Sequence, residues 1–377
     1  MTLELLDRHT ISDVRVHDDD AQKALRYIKM LMRDGVDKHI ENVRGEMWAL
    51  VVDKIWVLPV FVPRAGYRDM AYVGSLYSHY ISYAMDELHE LHSPLGRFFA
   101  RWIIRGLGVI LRLASINKAV FINNWLLSTN LYPDMPAEYI DDISIFIAKQ
   151  FPGRFVVWNS INAKTTPKLH DEFIKRHYTT LFSRSIWIQD TYANLGSKID
   201  GVVRREYALR ESSPYLTSGQ FDAARISKLY SSLYVDKYSR YNPIFTPHFM
   251  TETHREEIFS YQTLAKPDMS IDGVIGYIII RNVLTTPILG YNSSVPRADG
   301  LYRILPIQLQ DIAKTNEYVF HSSAGVGDFK RSRGARNYRE YRMIFPGNVG
   351  TFRRYVMNGL AQLTEFLATH LIEKKGL

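Results

Sequence analysis

The sequence predicts an α/β (α+β) protein of two tandem units, each a mixed, mostly antiparallel sheet flanked by helices. Three observations predict it. A chain of 377 residues is long for one domain and suits two of ordinary size. A succession of strand, loop, helix, strand, helix and strand, read from apolar spacing, occurs before residue 196 and again after residue 220. Between the copies lies a stretch punctuated by Gly, Ser and Pro. The division is therefore residues 1–195, a linker over 196–220, and residues 221–377.

In the first unit, periodicity predicts a helix over residues 19–34 and a strand pair over 47–53 and 55–62 that turns at Asp53 and Lys54. Helices follow over 72–91 and 95–113, then a strand over 118–127 that enters a loop through Asn130 and Pro136. A helix over 137–149, a strand over 154–160, a helix over 167–177 and a strand over 180–189 complete the unit. The linker carries a predicted strand over 206–210. The second unit opens with helices over 221–238 and 247–264 and continues into a hairpin over 271–291. A loop from Asn292 to Gly300 leads to a helix whose apolar positions Leu301, Ile304, Leu305, Leu309, Ile312 and Ala313 recur at helical spacing. A strand over 318–323, a short basic helix spaced by glycines and a closing strand to Phe345 end the pattern.

Composition excludes several classes. With 46% hydrophobic and 23% charged residues the chain buries a core and is not a disordered polymer. The absence of cysteine removes disulfides, thiolate nucleophiles and cysteine metal sites. No metal is expected, since His89 and His92, at i and i+3, lack a visible third ligand. Dinucleotide and P-loop fingerprints and the Gly-x-Ser-x-Gly elbow are absent. The segment after Met1 lacks the basic-then-apolar order of a signal peptide, so a cytoplasmic chain is expected. Residues 101–114 hold their longest uncharged run between Arg105 and Arg112, too short to span a bilayer. A helix packed on its own domain is the expectation there, without peripheral membrane contact; the alternative is a helix lying on a bilayer with Arg101, Arg105 and Arg112 turned to head groups.

The loop Asn292 to Gly300 ends at a helix start, where free amides and the helix dipole favour a phosphate. The first unit's equivalent has no glycine and starts its helix with Glu138, Asp141 and Asp142, which occupy that dipole, so a phosphate is expected in the second unit alone. In this order of elements over 221–345, with Arg297 and Gly300 spaced as Arg-x-x-Gly and a weaker copy ahead of it, the chain resembles the GNAT superfamily, and more closely its tandem, Fem-like branch. It departs from the superfamily's signature at Tyr302, where a small residue is usual.

The resemblance implies direct acyl transfer from an acyl-CoA or acyl carrier protein thioester to an amine or hydroxyl of a small-molecule acceptor. The alternatives are aminoacyl transfer from aminoacyl-tRNA, as in Fem-like transferases, and a non-catalytic relative that binds RNA or lipid. It places Ser293, Arg297, Asp299, Gly300, Tyr302, Lys330, Arg331 and Arg333 around the carrier. His321 becomes the candidate base because its unperturbed pKa lies near neutrality. Ser322 stands beside it, and Tyr338 or Tyr341 would protonate the leaving group. Tyr234, Tyr238, Phe249, Asn124 and Trp158 are the candidate acceptor contacts, with ordinary core as the alternative for the aromatic ones. Lys330, Arg331, Arg333, Arg336, Arg339, Arg342, Arg353 and Arg354, against Glu340 alone, are expected to form one basic surface for a nucleotide or a tRNA stem. The alternative is a solvated helix face and strand edge.

Overall fold

The computed structural model describes residues 1–377 except 65, 67–69, 91–92, 194 and 373–377. Its first half runs β1 (Leu3–Leu6), α1 (Asp19–Asp34), α2 (Val36–His39), β2 (Gly45–Val52), β3 (Trp56–Pro63), α3 (Tyr83–Glu87), α4 (Pro94–Leu113), β4 (Ala119–Ile122), α5 (Ile140–Gln150), β5 (Phe155–Ile161), α6 (Pro167–Lys175) and β6 (Thr179–Gln189). The second half runs α7 (Ser197–Glu211), β7 (Leu216–Ser218), α8 (Ala223–Tyr234), α9 (Pro247–Arg255), β8 (Ser260–Ala265), β9 (Ile271–Ile280), β10 (Val283–Tyr291), α10 (Leu301–Thr315), β11 (Val319–His321), α11 (Gly327–Arg331), β12 (Arg336–Phe345) and α12 (Thr351–Leu367).

These strands form one continuous sheet in the order β1-β2-β3-β4-β5-β12-β6-β11-β10-β9-β8-β7. Within each half the pairing repeats. Strands β1 to β4 are antiparallel neighbours and β4 lies parallel to β5; likewise β7 to β10 are antiparallel and β10 lies parallel to β11. The last strand of each half is exchanged. β12 lies between β5 and β6, and β6 lies between β12 and β11, so each closes the other half's sheet. Because the equivalent strands β6 and β12 pair antiparallel, the dyad relating the halves passes near the directly opposed residues Arg184 and Glu340.

Alternation along the strands divides the core. Met47, Ala49 and Val51 of β2 face a layer that includes α1, α8, α9 and α12, while Leu50 and Val52 face α5 and α6. On the same side as α5, the helix α10 packs Leu301, Ile304, Leu305 and Leu309 on Leu264, Ile275 and Leu284.

Several expectations are corrected. Residues 206–210 are not a strand but the end of α7, and the stretch 247–264 is the helix α9 followed by β8. The expected helix over 72–91 is broken into a 3₁₀ turn Tyr72–Gly74, a π-helix Ser78–Ser82 and the short α3; its last residue and His92 lie outside the described residues. Helix α4 rests on the body through Leu111 and Gly108, but its apolar side is not packed on its own domain. No described helix is long and apolar enough to cross a membrane.

Candidate active site

At the carboxyl end of the parallel pair β4 and β5 the two strands part. Asn123 (φ 50) and Leu126 (φ 55) turn the chain away from β4, and Ser160 (φ 58) bends β5. The loop is pinned across the gap: Asn130 donates its backbone N–H (3.1 Å) and Nδ2 (3.2 Å) to Ser160 Oγ, and Tyr132 donates its hydroxyl to the Asn159 carbonyl (2.6 Å). A crevice outside the carboxyl ends of parallel strands is a general ligand position in α/β sheets. Here it is a narrow cleft lined by Tyr72, Asn130, Ser160, Arg184, Glu340 and Arg342 among others, with about 10 Å³ of room, space for roughly one water in its resting form.

The floor of the cleft is the exchanged strand pair. Glu340 and Arg342, two residues apart on β12, project to one face, and Arg184 opposes Glu340 across β6. Arg184 Nε donates to Glu340 Oε1 at 2.8 Å, while its Nη2 donates to the Ser128 carbonyl, tying the β4 loop to the floor. The other carboxylate oxygen, Glu340 Oε2, is buried without a hydrogen-bond partner, as is Arg342 Nη1. Two guanidiniums thus face one carboxylate, and a buried charge surplus favours an anionic or strongly polarised ligand group. The π-helix is tied to the floor strands: His79 Nε2 lies 3.2 Å from the Ser183 carbonyl, Tyr80 donates to the Phe182 carbonyl, and the Arg342 guanidinium lies over the Tyr80 ring.

From the second half, His321 reaches the same carboxylate at the end of β11. Its Nε2 lies 3.8 Å from Glu340 Oε2, and its Nδ1 accepts from the Ser323 backbone N–H, which leaves the proton on Nε2. Burial, then the charges of Arg184 and Lys330, push its pKa down to about 3. The expectation of a base titrating near neutrality is therefore corrected: His321 is neutral across the physiological range.

The remaining predicted residues scatter. Ser322 spends its hydroxyl on the Trp187 carbonyl (2.9 Å); Tyr338, two residues before Glu340 on β12, and Tyr341, directly after it, are half-buried and do not line the cleft. Trp158, Phe249 and Asn124 are core residues rather than acceptor contacts: Trp158 donates to Ser144 Oγ (3.0 Å), Phe249 stacks on Phe245, and Asn124 holds the Val73 carbonyl. Tyr234 is half-buried against Tyr230, and Tyr238 beside it is exposed. In the second-half loop, Ser293 and Arg297 are exposed, Asp299 accepts from the Tyr215 hydroxyl (3.4 Å), and Tyr302 is exposed. Gly300 adopts φ +70, but its open side is filled: a Cβ there would lie 2.4 Å from Leu209 of α7.

The single basic surface is corrected as well. Arg333 is buried against Glu206 of α7 (Nε to Oε2, 3.1 Å), which also holds Arg303 (2.7 Å). Lys330 donates to the carbonyls of Ser322 (2.5 Å), Ser323 and Ala324, and burial pushes its ammonium down to about 7. Arg331 lies over Trp187 and meets Asp328, Arg339 pairs with Glu365, Arg342 is buried, and Arg353 caps carbonyls including Ala114 and Gly153. Among the described residues, Asp34, His39 and His248 are grouped closely enough to hold a metal ion, but Asp34 already accepts from Arg33 and His248, and His39 Nε2 faces the Met30 carbonyl.

In each half, four antiparallel strands lead through a helix to a fifth, parallel strand that parts from its neighbour at the carboxyl end. This is the order the resemblance implied. The fold is a tandem GNAT-like one. No model of a known protein family and no curated protein matches the chain. Solved structures do. A conserved protein of unknown function from Bacteroides thetaiotaomicron aligns at 11% identity over 90% of this chain and 96% of its own, with a TM-score of 0.46. A tandem GNAT protein from the clavulanic acid biosynthesis pathway aligns at 8% identity over 93% and 100%, with a TM-score of 0.39. FemX aligns at 7% identity over 55% and 76%, with a TM-score of 0.41. What was legible in the tandem GNAT-like fold was its repeat. Arg184 and Glu340 were missed as a pair because 156 residues separate them.

Proposed function

We propose that the chain transfers an acyl group to an amine or hydroxyl of a small acceptor, with the chemistry at the Glu340 cleft. The observation that carries this is a buried carboxylate held by Arg184 through one oxygen, with its other oxygen unpartnered beside the cleft. The acceptor attacks the acyl carbonyl and gives its proton to Glu340 Oε2. The charge that develops on the carbonyl oxygen meets the Arg342 guanidinium, and the carboxyl returns the proton to the departing group. Neutral His321 lies 3.8 Å from the same oxygen, beyond hydrogen-bond reach in the resting site. The same proposal keeps the division around residues 196–220: the first half supplies Tyr72, the β4 loop and Arg184, and the second supplies Glu340 and Arg342.

A thioester donor is favoured over aminoacyl-tRNA, because five of the cations expected to meet a nucleotide or a tRNA stem, Lys330, Arg333, Arg339, Arg342 and Arg353, are buried or spent on the chain's own oxygens, and a stem of many phosphates needs them more than a single nucleotide does. The test is thiol release from short- and long-chain acyl-CoA with a panel of amines, run beside transfer from charged tRNA. Glu340→Gln should lower turnover by roughly 10²- to 10⁴-fold, the usual range for a lost general base. Full activity in that variant removes Glu340 from the chemistry, and no transfer from either donor class ends the transferase reading.

A further inference from the structure

Helix α4 carries a surface that the cleft does not use. Leu95, Phe98, Phe99, Trp102, Ile103, Val109, Ile110 and Leu113 are all large, apolar and 47% to 70% exposed. At 100° per residue they fall in one continuous stripe rather than around the helix. The opposite side fixes the helix to the body. Leu111 is fully buried, and Gly108 sits so close that a Cβ would lie 2.9 Å from the Tyr77 hydroxyl and 3.2 Å from Ile81. The apolar stripe therefore projects from a rigid mount.

The charges choose the partner. Along one edge of the stripe run Arg101, Arg105 and Arg112, and no carboxylate occurs in α4. The Arg105 guanidinium lies over Trp102 and that of Arg112 over Tyr77. A second copy seated on this face would bring two rows of arginines together, Arg101 and Arg105 in each, and α4 offers no carboxylate to offset them. An anionic bilayer supplies both requirements: acyl chains for the stripe and phosphates for the arginines, with Phe and Trp at the head-group level. We propose that α4 lies in the interface of a negatively charged lipid membrane, parallel to its plane, and anchors the protein there. The anchor does not depend on the transfer reaction. It would, though, bring the cleft toward the lipid, because the Tyr77 and Ile81 segment that carries α4 is continuous with Tyr72 and Val73, which line the cleft.

The experiment is flotation of the full chain with vesicles of phosphatidylcholine alone and of phosphatidylcholine mixed with phosphatidylserine. Binding is expected only to the mixed vesicles at moderate salt, weakening as salt rises. Arg101→Gln with Arg105→Gln should weaken it by about 25-fold, at roughly fivefold for each arginine near an anionic surface. Trp102→Glu with Ile103→Glu should abolish it while circular dichroism and the thermal midpoint stay unchanged, since both side chains are exposed. Absence of binding to mixed vesicles at low salt overturns the proposal, as does equal binding by the glutamate variant. Sedimentation equilibrium run alongside would assign the face to a second copy if the chain self-associates, the glutamate variant does not, and vesicles are ignored.

Discussion

His321 of β11 and Glu340 of β12 approach each other across β6, which lies between their strands, and the burial of His321 has a cost that pH exposes. His321 is held at about 3 by burial and the neighbouring cations, His39 is held at about 4 by burial and by His248, and burial holds His79 well below 6.5. In the unfolded chain each would titrate near 6.5. A depressed histidine stabilises the fold fully above its unfolded value, and the contribution is lost as pH falls toward the folded value, because only the unfolded state then binds the proton. Stability is therefore expected to fall between about pH 6.5 and 4, with each of these residues contributing at most about 1.4 kcal/mol per pH unit. Urea midpoints across that range should show a steeper fall in the native chain than in His321→Gln. Parallel curves would mean that His321 is not a neutral, proton-excluding group.

At the scale of elements, legibility followed burial. Strands β5, β6, β9 and β10 were readable because apolar residues run through them, and α10 because its inner face recurs at helical spacing. Helix α7 was unreadable because it has almost no apolar face: the residue it buries is Glu206. Its placement is electrostatic. Glu206 lies between Arg303 of α10 and Arg333 after α11, and Leu209 covers Gly300. Removing one partner from a buried ion pair leaves the others unpaired and typically costs about 3–5 kcal/mol. Glu206→Ala is accordingly expected to destabilise the chain by an amount in that range, read as a lower urea midpoint. A change under about 1 kcal/mol, the range of a surface pair, would show that α7 is held by something else.

For the whole molecule, exchange of the last strands decides cooperativity. Two readable repeats suggested two units, and no residue pattern in either half announced that β12 would separate β5 from β6. That pairing is a tertiary choice: β12 is rich in charge along its first seven residues, yet the exchange gives it and β6 a partner on both edges. Without β12, residues 1–195 would expose long edges of β5 and β6; without β6, residues 196–377 would expose β11 and β12. Neither half can close its own sheet, so they should unfold together. Calorimetry is expected to show one transition whose calorimetric and van't Hoff enthalpies agree. The fragments 1–195 and 196–377 should each lack a cooperative melt and should recover one on mixing in equal amounts. Two separated transitions, or a cooperative melt from fragment 1–195 alone, would mean that a strand of the same half can fill the place of β12, and the Arg184–Glu340 pair would then be a product of association rather than a condition of folding.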